Sequence, residues 1–331
     1  MFRKQIIATN NVDRHNEVIA DEVLYRFVES INTNDSVMRM GLNHDTSIMP
    51  VGKVIKGTVV DLQDNSLGVE AQIDDFIYDF HKIEGPDKQI LYSAESVIDK
   101  RPFMEYEAEV KEKVTVLLNP LNFNDDDYEE LRHIIYDECD ALVEKSIKKN
   151  LIPDPEIIVH LLMGTVIYLT TKNTVNKVSE KLADKISDDV VNIYDNLKKI
   201  IASIGKKVVG PKETTYVLTG PEQDVELVIR ASNPEDVLNA IEIASDGYIA
   251  SQTEKYRRYL DGSLKKIQYL FNVETKKWEV NYMVTNTGQV IGSEKCYKKA
   301  VKLYNTIMKT PGAGFSIGGT AAIEEYETDD V

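Results

Sequence analysis

A serine near the end of the chain lies among small residues that suit a nucleophile. Ser316 stands in the stretch Pro311–Ile323, which is rich in glycine on both sides of the serine. Glycine lets the backbone turn sharply and lets another chain approach closely. If Phe315–Ile317 is a strand, its two hydrophobic residues share one face and Ser316 lies on the other. The same composition is also typical of a glycine-rich turn that leads into a terminal strand.

A histidine in the N-terminal part of the chain is the candidate base. A serine hydroxyl is a weak nucleophile until a base takes its proton, and His44 can supply the imidazole. The long separation in sequence does not argue against this pair, because catalytic groups are recognised by their geometry. Backbone N–H groups near Gly318 and Gly319 are the candidate oxyanion hole. Ser93 and Ser96 are rival nucleophiles that lie closer to His44 in sequence but lack neighbouring glycines.

Hydrophobic periodicity predicts the elements that must position these residues. Alternating apolar and polar residues favour strands, and apolar residues at steps of three and four favour helices. In the first 122 residues the predicted elements are two strands around a polar turn within Ile6–Ala20, a helix over Glu22–Ser30, and strands over Val51–Leu62, Leu67–Ile73, Gln89–Val97 and Phe103–Leu118.

From Asp125 onwards the pattern changes to helices and then to a smaller α/β region. The predicted helices are Asp125–Asn150, Pro155–Lys172, Lys177–Gly205, Asn233–Ser245, Gln252–Tyr259 and Glu294–Met308, and the predicted strands are Thr214–Leu218, Val225–Arg230, Ile267–Val273, Trp278–Thr285 and the strand of Ser316. The apolar run Ile157–Thr171 is shorter than the roughly twenty apolar residues of a membrane span, so a buried helix is predicted there.

Several of these stretches together resemble the prohead (capsid maturation) serine proteases of tailed phages. In that family an Asp-bearing strand-turn-strand precedes a histidine, and Pro-x-Gly-Lys follows the histidine. Here Asp13, His44 and Pro50–Lys53 stand in that order. The family's next strand, Gly-Leu-x-x-x-Ala, corresponds loosely to Leu67–Ala71, and Gly314–Gly319 is most similar to the XkdF-type branch.

The resemblance implies an α+β fold with a small β-barrel-like protease core. It covers about residues 1–75 and 267–325, where Trp278 and Tyr297 also fit the family's order of elements. The implied organisation is an N-terminal part of the core at 1–122, an inserted helical and α/β region at 123–262, and a C-terminal part of the core at 263–331 that carries Ser316. Surface insertions of this kind are tolerated because loop closure costs only logarithmically more with length.

The third catalytic residue is the least defined part of the resemblance. Counting back from the family's Pro-Ala-Asn position, the orienting acid falls on Lys113, with Glu112 one residue away. A one-residue shift in a strand moves a side chain to the other face, so Glu112 requires a bulge. Asp13, Asp45 and Glu70 are alternative acids, and a Ser–His dyad without an acid is also open.

In this family more strand follows the serine, whereas here an acidic tail, Glu324–Val331, closes the sequence. Either the chain has been shortened, for example by self-cleavage, or Val114–Asn122 takes the place of that strand. The N-terminal residues lack the apolar stretch of a signal peptide, so none is predicted.

The activity implied by the resemblance is a serine endopeptidase of capsid maturation that cleaves scaffold and capsid proteins and also itself. The implied partners are the major capsid protein and the scaffold protein, within the immature capsid in the host cytoplasm, and the family is compatible with a homo-oligomer. The alternative is a catalytically inactive protease-like scaffold or capsid-assembly protein. A host defence or effector protein that borrowed the fold is a third alternative.

Composition limits the other classes of function. The chain of 331 residues is 42% hydrophobic and 28% charged, which is typical of a globular protein, and its net charge of −16 argues against nucleic acid and anionic membranes as partners. Cys139 and Cys296 are far apart, so reduced core thiols are predicted. No histidine or cysteine pair has metal-ligand spacing, and no cofactor or metal is expected.

Overall fold

The computed structural model describes residues 2–12, 18–104, 114–145, 156–160, 195–208, 213–219, 224–244, 247–310 and 315–317. The chain divides into two compact units. Unit 1 comprises Met1–Glu105, Ser263–Lys265 and Asn281–Gly319, and unit 2 comprises Tyr106–Gly262, Lys266–Val280 and Thr320–Val331. The domain boundaries that the sequence suggested, at residues 122 and 262, stay a prediction.

Unit 1 contains a five-stranded antiparallel sheet that includes both candidate segments. Its strands are β1 (Phe2–Thr9), β2 (Arg39–Gly41), β3 (Gly52–Asp61), β4 (Leu67–Asp75) and β15 (Ser316–Ile317), in the order β1-β4-β3-β2-β15. The strands β3 and β4 form the hairpin that the alternating sequence predicted. In β4, positions with apolar side chains face the core, as a half-buried strand requires.

This sheet is curled, because its two edge strands come together. The side-chain amide of Gln5 on β1 donates to the carbonyl oxygen of Phe315 at 2.9 Å and accepts from the Phe315 N–H at 3.3 Å. Irregular register in β1 near Ile7 and in β3 near Ile55 is of the kind that bends a strand. The prediction of an α+β fold is confirmed at this level.

The remaining elements of unit 1 cover the core of this sheet. Strands β5 (His81–Glu84), β6 (Ile90–Ala94), β14 (Val290–Ser293) and residues 281–285 of β13 (Lys277–Thr285) are neighbours in that order, and the helices are α1 (Asp21–Thr33) and α6 (Glu294–Lys309). The hydroxyl of Ser293 caps α6 by accepting from the Cys296 N–H at 3.2 Å. Buried residues that include Met40, Ile73 and Tyr304 form one hydrophobic core.

Unit 2 has a mixed sheet with helices. Its strands are β7 (Thr115–Leu118), β8 (Leu142–Lys145), β9 (Glu156–His160), β10 (Thr214–Thr219), β11 (Val225–Ala231) and residues 266–272 of β12 (Leu264–Asn272), in the order β12-β11-β10-β9-β7-β8. The helices are α2 (Asp125–His133), α3 (195–207), α4 (Pro234–Ala244) and α5 (Tyr248–Tyr259). Leu117, Ile158, Val217 and Val228 pack together in this unit.

Of two predicted helices in the middle region, the first is confirmed only over Asp125–His133 and the second is wrong at 156–160. The α-helix that begins at Asp125 ends at His133, and one π-helical turn follows at Ile134–Glu138. Asp140 then adopts a left-handed backbone with φ 48°, which ends the helical path before β8. Residues 156–160 of the second helix form strand β9 between β7 and β10. Buried strands of this kind read as continuous apolar runs, which resemble a buried helix in sequence.

Other predicted elements agree with the structure, with small shifts of their ends. They are β1, β6, β10, β11, β12, β13 and the helices α1, α4, α5 and α6. The predicted strand before α1 is not formed at 18–20, and β5 was not predicted. Much of the predicted helix Lys177–Gly205 lies outside the described residues. Among the described residues no helix is both long and apolar enough to cross a membrane.

Candidate active site

The strand of Ser316 lies beside the strand that leads to His44. In the antiparallel register of β15 and β2, Ser316 is opposite Gly41 and Ile317 is opposite Met40. The turn that contains His44 begins directly after Gly41. The backbone thus brings the two candidate segments together in unit 1. The catalytic pairing of the two side chains stays a prediction.

His44 sits in a tight turn with an unusual backbone. Asn43 and His44 both have left-handed φ angles, of 53° and 50°. These residue types are enriched in that region, because short polar side chains tolerate it better than branched ones do. The N–H of Asp45 bonds to the carbonyl of Leu42 at 3.0 Å, and Leu42 is fully buried. The turn is therefore anchored by its apolar flank while His44 remains half-buried.

A polar cluster fixes the residues after His44. The Asp45 carboxylate accepts from the Ser47 hydroxyl at 2.5 Å and from the Ser47 N–H at 2.9 Å. Lys299 of α6 donates to Asp45 at 3.0 Å and to the Ser47 hydroxyl at 2.9 Å. Asn281 of β13 donates to the Ser47 carbonyl at 2.7 Å. Helix α6 and strand β13 thus position the loop that carries His44.

Replacing Lys299 with methionine is expected to lower the free energy of unfolding by about 1 kcal/mol, since a charge-assisted bond to a half-exposed group is lost. The same substitution should also speed hydrogen exchange of the backbone amides at 45–48, because Lys299 bonds to Asp45 and Ser47 in that loop. The matched control is Lys298→Met, which removes an exposed pair with Glu294 and should leave the free energy of unfolding close to that of wild type. Equal effects of the two substitutions in urea unfolding would contradict this role of Lys299.

A buried network lies next to the residue that precedes Ser316. Arg3 donates to Asp75 at 3.2 Å and to the Tyr304 hydroxyl at 2.7 Å, and that hydroxyl donates to Asp75. The Arg3 guanidinium lies 4.4 Å from the centre of the Phe315 ring, and the Tyr304 ring lies 5.3 Å from it. Burial and the bond to Asp75 raise the pKa of Tyr304.

Sequence reasoning did not identify this network. Arg3 occupies an inward position of an alternating strand, and Asp75 ends another strand. Tyr304 lies on the apolar face of α6, where an aromatic residue is expected for packing alone. The available signal was a charged residue, Arg3 or Asp75, at an inward-facing position of each of two strands.

The predicted third residue, Glu112, lies outside the described residues, as do Asp13, Gly318 and Gly319. Among the alternative acids, Asp45 bonds to Ser47 and Lys299. Glu70 forms an exposed ion pair with Lys4 at 2.6 Å. The assignment of an orienting acid to His44 stays a prediction.

The rival nucleophiles Ser93 and Ser96 are both buried within unit 1. The Ser96 hydroxyl donates to Asp74 at 2.6 Å and accepts from the Asp99 N–H at 2.9 Å. The Ser93 hydroxyl accepts from Gln289 at 2.9 Å. These bonds give both serines a structural role.

The Pro-x-Gly-Lys motif after His44 has a structural role in unit 1. A Cβ at Gly52 would lie 2.7 Å from the carbonyl oxygen of Asp74, so the neighbouring strand requires glycine there. Lys53 is fully buried and donates to the carbonyls of Asp99 at 2.9 Å and Arg101 at 2.6 Å. Burial lowers the pKa of Lys53 to about 8.

Cys139 and Cys296 are free and buried, and burial raises the pKa of the Cys296 thiol to about 12. In the described part of the chain, no three His, Cys, Asp or Glu side chains are grouped so as to hold a metal ion. Comparison with protein-family models, with curated proteins and with solved structures finds no match for this chain.

Proposed function

We propose that this protein is a serine endopeptidase of the capsid-maturation type, with Ser316 as nucleophile and His44 as general base. The observation that carries the proposal is the register of β15 and β2, which places Ser316 opposite Gly41, immediately before the turn of His44. The sequence motifs around both residues support the same assignment. The curled five-stranded sheet is compatible with a small barrel-like protease core.

The proposed reaction is hydrolysis of a peptide bond in two steps. In the first step His44 takes the proton of the Ser316 hydroxyl while the Ser316 oxygen attacks the carbonyl carbon of the substrate. The protonated imidazole then gives that proton to the leaving amine. In the second step His44 takes a proton from water as the water oxygen attacks the ester carbon. The imidazole then returns the proton to the Ser316 oxygen, which leaves as the hydroxyl. Main-chain N–H groups around Gly318 and Gly319 are the proposed donors to the oxyanion.

The proposed substrates are proteins of capsid assembly. They are the scaffold protein, the major capsid protein and the chain itself, encountered inside the immature capsid within the host cytoplasm. This part of the proposal is supported by the family resemblance. The net charge of −16 also disfavours a nucleic-acid substrate.

Labelling with a fluorophosphonate tests the nucleophile directly. We expect the probe to modify the folded protein and peptide mapping to place the adduct on Ser316, since only an activated serine reacts at a useful rate. Prior heat denaturation should abolish labelling. An adduct on Ser93 or Ser96, or no adduct on the folded chain, would overturn the assignment.

A catalytically inactive scaffold or capsid-assembly protein is the second candidate. The observation that favours it is the engagement of Asp45, the acid beside His44, with Ser47 and Lys299. Under this reading the loop of His44 is a structural turn. The folded protein would then bind capsid protein in sedimentation while remaining unlabelled by the fluorophosphonate and leaving the capsid protein intact.

A further inference from the structure

The main chain of Phe315 is held by the side chain of Gln5. We infer that Gln5 of β1 is a positioning residue for the segment that carries Ser316, and that Arg3 supports it by fixing the Phe315 ring. The inference rests on the proposed function only in giving Ser316 a catalytic role. We call the contacts of Gln5 and Arg3 with Phe315 the clamp, and its effect on the order of residues 315–317 can be measured without any reaction at the serine.

The side-chain amide of Gln5 bonds to Phe315 as a peptide group of a neighbouring strand would. Its nitrogen donates to the Phe315 carbonyl oxygen at 2.9 Å and its oxygen accepts from the Phe315 N–H at 3.3 Å. A carboxamide carries a donor and an acceptor in one plane, as a peptide unit does, so it can satisfy both backbone groups of one residue. Phe315 thereby gains the pair of bonds that an antiparallel partner would provide.

The Phe315 side chain is held from a second direction. Its ring is almost fully buried, 4.4 Å from the Arg3 guanidinium and 5.3 Å from the Tyr304 ring centre. A guanidinium over an aromatic face is attractive, and Asp75 fixes Arg3 by accepting a bond from it at 3.2 Å. The ring and the main chain of Phe315 therefore both depend on inward-facing residues of β1.

The consequence for Ser316 follows from the covalent chain. Ser316 is one peptide unit from Phe315, and consecutive Cα atoms are about 3.8 Å apart. Its own strand partner is Gly41 of β2. Gln5 thus fixes the residue that precedes the short strand β15, while β2 pairs with both residues of that strand. A small loss of order at Phe315 is expected to lower reactivity, because misplacement of a catalytic group by about 1 Å can cost about a hundredfold.

Hydrogen exchange of wild type and Gln5→Met tests the clamp. Methionine has a similar length but neither donates nor accepts a strong bond, so backbone amides at 315–317 are expected to exchange about tenfold faster, in line with the loss of both hydrogen bonds to Phe315. The control is Lys4→Met, which changes the adjacent exposed residue and its pair with Glu70. Wild-type protection in Gln5→Met would overturn the inference.

The amides of α6 provide the internal reference for folding. If Gln5→Met loosens α6 as well, Gln5→Glu decides, because glutamate keeps the acceptor and the length but sets an oxygen against the Phe315 carbonyl. Faster exchange confined to 315–317 in Gln5→Glu would support the clamp, and wild-type protection there would overturn it.

Labelling kinetics separate this inference from the proposed function. With a working clamp and a reactive serine, Gln5→Met should be labelled by the fluorophosphonate at least about tenfold more slowly than Lys4→Met. Faster exchange at 315–317 combined with an unreactive wild type would leave the clamp standing and remove the peptidase. A reactive Ser316 combined with unchanged exchange would remove the clamp alone.

Discussion

His44→Ala is expected to slow peptide-bond cleavage by about 10⁴- to 10⁶-fold, and Ser316→Ala by a similar factor. The reason is that the hydroxyl is a poor nucleophile without the imidazole, and the imidazole has no proton to transfer without the hydroxyl. Because the two groups act as a unit, the double variant should be no slower than either single variant. The measurement is cleavage of the capsid protein, or of the chain itself, followed over time on gels.

The matched control for this prediction is His81→Ala. His81 is an exposed histidine on β5 of the same unit, so its loss should leave the cleavage rate within about twofold of wild type. Folding of each variant is checked by urea unfolding. Losses that multiply in the double variant, or full activity after His44→Ala, would show that the two residues do not form one catalytic unit.

The β-hairpin of unit 1 could be predicted because the order of apolar and polar residues in its sequence follows the burial of each position. Residues Val69–Ile73 alternate between the buried and the more exposed face of one sheet, and the polar turn before β4 places Asn65 at a left-handed φ of 62°. Both signals are local. Elements whose signals are local, such as α6 with its Ser293 cap, were likewise predicted from sequence.

Strands β8 and β9 were mispredicted as helices because they depend on distant partners. Strand β9 pairs with β10, whose residues lie more than fifty positions later, and β8 pairs with β7 across α2. A run such as Ile157–Val159 suits a buried helix or a buried strand equally well. Tertiary pairing decides between them, and that pairing is not encoded near the run.

The supports of the candidate site could not be predicted for the same reason. Gln5 bonds to a residue 310 positions away, and Lys299 bonds to one 254 positions away. Nothing adjacent to either residue marks it in sequence. Ser316 and His44 were proposed because their immediate neighbours in sequence are unusual, whereas Gln5, Lys299 and Arg3 are ordinary residues of an alternating strand and an amphipathic helix.

Lys53 provides a large expected effect on stability. Its ammonium group is fully buried, its nitrogen lies 5.2 Å from the Phe103 ring centre, and its hydrogen bonds end on two backbone carbonyls. Burial lowers the pKa of Lys53 to about 8 from an ordinary value of 10.5. The charged form is therefore tolerated less well in the folded protein than in the unfolded chain.

The sign of the pH dependence follows from proton binding. Between pH 8 and 10.5 the unfolded chain keeps the Lys53 proton while the folded protein releases it, so the contribution of Lys53 to the free energy of unfolding rises with pH. From pH 7 to pH 10 the expected rise is about 2 to 3 kcal/mol. Some other groups act in the opposite direction. The Cys296 thiol, for example, loses its proton in the unfolded chain within this range, whereas burial raises its pKa to about 12 in the folded protein.

Lys53→Met isolates this contribution, because the other titrations are common to both proteins and cancel in the difference. Urea unfolding at pH 7, 8, 9 and 10 should show wild type gaining about 2 to 3 kcal/mol on the variant across the series. The variant also leaves the carbonyls of Asp99 and Arg101 without their donor, which shifts all four values together. The slope of the difference with pH is therefore the test. A flat difference would mean that the Lys53 ammonium has its ordinary pKa and reaches water, and a falling one would mean that the folded protein stabilises its charge.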